Sequence, residues 1–79
     1  MKNFDHISAT KSLIRNLVKA GLEVDATNLD AAIDAGSTGT EILMAIRHHA
    51  IKLSENPLLP EETKKELSTL IQEINRSLQ

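Results

Sequence analysis

The sequence predicts an all-α fold: a compact four-helix domain with short connections. Three observations carry this expectation. Large apolar residues recur at 3.6-residue spacing along most of the chain, and helix-stopping residues at Gly21, Gly36 and Asn56–Pro60 divide it into short segments. No alternation of apolar and polar residues, internal repeat or low-complexity stretch competes with a helical reading. The helices implied are approximately 5–20, 26–35, 38–55 and 60–78, within a single domain spanning residues 1–79.

The first segment runs from about Asp5 to Ala20. Ile7, Leu13, Ile14, Leu17 and Val18 fall on one arc, Asp5 or Ser8 can cap the start, and Gly21 is placed to end the helix in a left-handed conformation. On its outer side Lys11, Arg15 and Lys19 form a basic row, a solvated face or a docking row for an anionic partner. The second segment is short, from about Ala26 to Ala35, with Asp25 or Thr27 as its cap and Gly36 as its stop. Only Leu29, Ala32 and Ile33 give it an inward face, and Leu22 and Val24 are expected to anchor the link before it in the core.

The third segment starts at Thr38 or Gly39, because Thr38 and Glu41 are spaced as a capping box, and it stops near Glu55. Asn56 can take a left-handed conformation, whereas Pro57 biases it toward an extended one; either ends a helix. Pro60 suits the first position of the fourth segment, with Glu61 and Glu62 at its positive end. Its inward residues are Leu67, Leu70, Ile71, Ile74 and Leu78.

Composition narrows the function. Seventy-nine residues imply a stability of roughly 4 to 12 kcal/mol and leave no room for a deep substrate cavity. The absence of cysteine excludes disulfides and thiolate metal sites, and a net charge of -2 offers no general field for nucleic acid or anionic lipid. No apolar run is long enough for a membrane span, and the first ten residues lack a secretory hydrophobic stretch, so a cytoplasmic location is expected.

Adjacent His48 and His49 point about 100° apart on a helix and cannot chelate one ion together, so no metal site is expected. On the same arithmetic His49 faces the core and His48 faces out. His49-Ala50-Ile51-Lys52 resembles the His-x-x-Lys core of histidine phosphotransfer domains, helical bundles whose imidazole carries a phosphoryl group; the small residue usual after the lysine is Leu53 here. Gly36-Ser37-Thr38-Gly39-Thr40 opens a helix as phosphate-binding loops do, but the lysine of a P-loop is missing and Glu41 follows. Pairs of carboxylates such as Asp30 with Asp34 and Glu62 with Glu66 are expected to be solvated. Nothing places a nucleophile with a base, so no enzyme and no cofactor are expected.

Ala32, Gly36, Ile42 and Ala45 fall at the spacings of a DNA-binding helix-turn-helix, and segment 28–47 resembles one. That resemblance implies a regulator presenting Thr38, Gly39, Thr40, Leu43, Met44 and Arg47 to the major groove, although Leu43 and Met44 offer no hydrogen bonds to bases.

The third segment is apolar almost all the way round. Leu43, Ala45, Ile46, His49, Ala50 and Leu53 cover one broad face, while Met44 and Ile51 project from the opposite side. The reading favoured is a protein-protein interaction module or homo-oligomer that uses this outer strip: Met44 and Ile51 as apolar anchors, with Arg47, His48 and Glu55 around them. The partner is then another protein or a second copy of the chain. The helix-turn-helix regulator is the alternative.

Overall fold

The computed structural model describes residues 4–79, which form four helices: α1 (His6–Lys19), α2 (Glu23–Ala35), α3 (Gly39–Leu53) and α4 (Glu61–Leu78). Asp5 caps α1, its carboxylate accepting from the Ser8 N–H at 3.0 Å and from the Ser8 hydroxyl at 2.8 Å. The helix ends in a Schellman turn. Gly21 adopts φ 81°, the N–H of Leu22 donates to the Leu17 carbonyl at 2.8 Å, and that of Gly21 to the Val18 carbonyl at 3.0 Å.

This turn leads directly into α2, which starts three residues before the expected Ala26. The Ala26 N–H donates to the Leu22 carbonyl, and no side chain caps the start, so Asp25 and Thr27 lie inside the helix rather than before it. Glu23 and Asp25 nevertheless place charge at its positive end. Leu22 is half-buried as expected, but Val24 is 76% exposed: the early helix start turns it outward. Val18, expected to face inward, is 51% exposed at the far edge of the α1 arc.

Gly36 ends α2 in an extended conformation, φ -100° and ψ 154°, and its lack of a side chain matters for space instead of φ. A Cβ there would stand 2.7 Å from the Ile42 nitrogen and 2.8 Å from the Glu41 Cβ. The capping box of α3 is complete: Thr38 accepts from the Glu41 N–H, and Glu41 accepts from the Thr38 N–H at 3.1 Å. Between α3 and α4 no left-handed residue occurs, because the Asn56 side chain instead accepts from the Leu58 N–H at 2.9 Å. Pro60 stands just before α4 as its extended cap, with ψ 150°, and not as its first helical residue.

The result is a compact four-helix all-α domain in which α1 packs on α2 and α4, and α3 packs on the same two helices. Its radius of gyration is 11.7 Å, where a compact chain of this length has about 12 Å. His6 meets the C-terminal end of α4 while Ser12 and Asn16 meet Glu66 nearer its start, so α1 and α4 run antiparallel. The centre is filled by Leu13, Leu17, Leu29, Ile46, Leu67, Leu70 and Ile74, all fully buried. Ala26, Ala32 and Ala50 are buried as well, and small side chains let neighbouring helices approach. Two buried threonines, Thr10 and Thr63, and Leu59 of the last connection complete this core; none of the three stands out in the apolar pattern.

Candidate functional site

α3 buries Ile46, Ala50 and Leu53 and half-buries Ile42, Leu43 and Ala45. The opposite side remains uncovered: Met44 is 50% exposed and Ile51 is 46% exposed. The two lie seven residues apart, two helical turns, so their side chains line up along the axis about 10 Å from each other. His48 and Glu55 are exposed beside them. Glu55 lies past the last α-helical residue, in a tighter turn where its N–H donates to the Lys52 carbonyl three residues back at 3.2 Å. Arg47 is half-buried because its guanidinium reaches across to α4, where Nη1 donates to the Asn75 side-chain oxygen at 3.0 Å. The strip therefore exposes two apolar side chains, with Arg47 and His48 between them along the helix and an acid at its C-terminal end.

The other predicted residues separate. Lys11, Arg15 and Lys19 are all exposed on α1. The ion pairs among the described residues are Lys64 with Glu61 and Arg76 with Glu73, both within α4, and neither involves this row. His48 and His49 meet edge to face, ring centroids 5.3 Å apart at 76°, and His49 is half-buried rather than interior. Among the described residues no three His, Asp or Glu side chains gather as a metal site.

The start of α3 is occupied by the chain itself. Glu41 accepts from the Ser37 hydroxyl at 3.0 Å and from the N–H groups of Ser37 and Thr38 at 3.1 Å each. These bonds hold its carboxyl below the usual carboxylate range, the Ser37 hydroxyl contributing most. An incoming phosphate would find those donors taken and a negative charge in their place. In the segment resembling a helix-turn-helix, Ala32 is buried and Ile42 and Ala45 are half-buried, as apolar residues of any packed helix pair are. Of the positions available to read a groove, Leu43 is half-buried and Arg47 is held by Asn75; Thr38, Gly39, Thr40 and Met44 are exposed.

Three features were not anticipated. Glu66, expected to be solvated, is half-buried and accepts from Asn16 at 2.8 Å and from Ser12 at 3.0 Å. His6 Nε2 lies 3.2 Å from the Glu73 carbonyl oxygen and 3.0 Å from Ser77 Oγ, tying the start of α1 to the end of α4. An open, mainly apolar groove of about 520 Å³ lies where the starts of α1 and α3 meet, lined by Phe4, Asp5, His6, Ile7, Gly39, Ile42 and Leu43. Phe4 and Ile7, the large apolar side chains of an otherwise polar N-terminal stretch, were its one signal in the sequence.

No family model, curated protein or solved structure matches this chain. Among the described residues no helix is long and apolar enough to cross a membrane.

Proposed function

We propose that the chain is a single-domain, non-catalytic interaction module of the cytoplasm that binds another protein or a second copy of itself through the outer face of α3. Met44 and Ile51 supply the apolar contact, and Arg47, His48 and Glu55 supply the polar surround. The observation that carries this reading is the exposure of Met44 and Ile51 on a helix whose other side is already buried. A helix needs one apolar stripe to dock in its own domain; a second stripe left in water costs hydration free energy and contributes nothing to the fold. An aligned pair of anchors with polar neighbours has the pattern of a contact centre and its rim.

The alternative, a DNA-binding regulator using segment 28–47, draws on fewer observations. Its groove-facing positions hold one cation, Arg47, and that side chain is engaged by Asn75. Direct readout depends on free Arg, Lys, Asn or Gln at such positions.

The test compares association of the wild-type chain with that of Met44→Lys/Ile51→Glu, each immobilised and challenged with soluble wild-type chain and with cell lysate. Loss of all retention by a variant that keeps its helical circular dichroism is the expected result. A folded variant that retains everything the wild type retains contradicts the contact face, as does a variant that fails to fold. Retention on duplex DNA, abolished by Arg47→Ala, would favour the alternative.

A further inference from the structure

We infer that the partner of this face is a second copy of the chain, packed antiparallel along α3 with a two-fold axis beside Ile51. The inference rests on the contact-face reading above and adds the identity and orientation of the occupant. Its ground is the charge order of the strip about Ile51. Arg47 and His48 lie four and three residues before it, and Glu55 lies four residues after it. At 100° per residue along α3, and somewhat more through the tighter turn that holds Glu55, His48 and Glu55 fall on the same side of the Met44–Ile51 line, within about 20° of each other, while Arg47 falls on the other side toward α4.

A two-fold axis perpendicular to α3 at Ile51 reverses the helix direction and keeps each residue on its own side. His48 then meets Glu55 of the second copy at levels along the axis within about 1.5 Å of each other, and the same pair forms twice. An imidazole N–H donates to a carboxylate whether or not the ring is charged, so the pairing is attractive in either state. Parallel packing, about an axis along α3, carries His48 and Glu55 to opposite sides of the seam, so it forms no His48–Glu55 pair and brings His48 beside Arg47 of the second copy. The apolar residues follow the same symmetry. Ile51 packs on Ile51 at the axis, and Met44 arrives just past the end of α3 of the second copy. One helix from each copy makes a small interface, below the roughly 1,200 Å² of stable complexes, so the dimer is weak and forms at high concentration.

Sedimentation equilibrium of the full chain up to about 1 mM tests this, with His48→Glu and Glu55→Arg made as separate variants at exposed positions. The wild type should approach twice its monomer mass. His48→Glu alone should remain monomeric, because two carboxylates then face each other twice; Glu55→Arg alone should dimerise less than the wild type, because the imidazole loses its carboxylate acceptor; and an equimolar mixture of the two should regain the doubled mass as a heterodimer. A wild type that stays monomeric throughout overturns the second copy as partner. The contact-face reading would then be judged separately, on whether proteins retained by the wild type are lost by Met44→Lys/Ile51→Glu. A dimer indifferent to both charge variants and to Ile51→Glu uses another surface and overturns both.

Orientation is read independently by cysteine cross-linking, since the chain has no cysteine of its own. Ile51→Cys, at the axis, should oxidise to a linked dimer. Met44→Cys, about 21 Å from its counterpart, should not. The reverse pattern overturns the antiparallel arrangement.

Discussion

Asn16 of α1 donates its side-chain amide to Glu66 of α4 at 2.8 Å, with Ser12 on the other carboxylate oxygen at 3.0 Å, so one half-buried acid holds two residues of the neighbouring helix. Removing it leaves two polar groups at the α1–α4 contact without their acceptor. Glu66→Ala should lower stability by about 1 to 3 kcal/mol. Glu62→Ala, one turn earlier and exposed, should change it by no more than about 0.5 kcal/mol. Urea unfolding of the two variants side by side checks the difference; equal effects would mean that the Glu66 contacts contribute nothing.

Two glycines three residues apart should respond in opposite directions. At Gly36 an added Cβ meets backbone and side-chain atoms of Glu41 and Ile42 at 2.7 to 2.9 Å, so Gly36→Ala should cost about 1 to 3 kcal/mol. At Gly39, the first residue of α3, nothing lies within 4 Å and φ is not positive. Gly39→Ala should stabilise the chain by about 0.4 to 1 kcal/mol through the unfolded state. Melting temperatures that move in the same direction for both would contradict the close approach of the Gly36 backbone to α3.

Acid should weaken the fold through two helix caps. The Ser37 hydroxyl, with the N–H groups of Ser37 and Thr38, holds the Glu41 carboxyl below its usual range; the Ser8 N–H, then its hydroxyl, does the same for Asp5. Because both carboxyls are more acidic in the folded chain, the unfolded chain takes up protons first as pH falls. Their contribution is fully present above the ordinary carboxylate range and is lost as pH drops through the folded values. Urea midpoints should therefore be flat from neutral pH to about 5 and fall below it. Glu41→Gln should show a lower midpoint at pH 7 and a shallower acid decline. An unchanged acid profile in that variant would mean that the cap does not titrate with folding.

Whatever depends on neighbours close in sequence could be read before the structure. Thr38 and Glu41 announced the start of α3, Gly21 announced the end of α1, and 100° arithmetic placed Met44 and Ile51 opposite Ile46 and Leu53. Properties decided by contacts between distant segments could not. Val18 and Ile14 share one arc of α1, yet their exposure differs because helix packing sets where that arc ends. The start of α2 was displaced because its first turn is bonded to Leu22 and has no side-chain cap for sequence to display. Leu58 and Leu59 are neighbours in a turn, where no helical period says that Leu59 is buried and Leu58 is not. Glu66 looked like any surface acid until α1 brought Ser12 and Asn16 to it.

The contact face depends on Met44 and Ile51 being spare, outside what the fold requires, and equilibrium urea unfolding of Met44→Lys/Ile51→Glu measures that most directly. Leu70→Ala, which empties a fully buried position, is the reference and should cost about 2 to 5 kcal/mol. The double variant is expected to unfold cooperatively with the wild-type slope and a stability within about 0.5 kcal/mol per substitution of wild type. A loss as large as that of Leu70→Ala would mean that the outer side of α3 belongs to the core and has no surface to offer a partner.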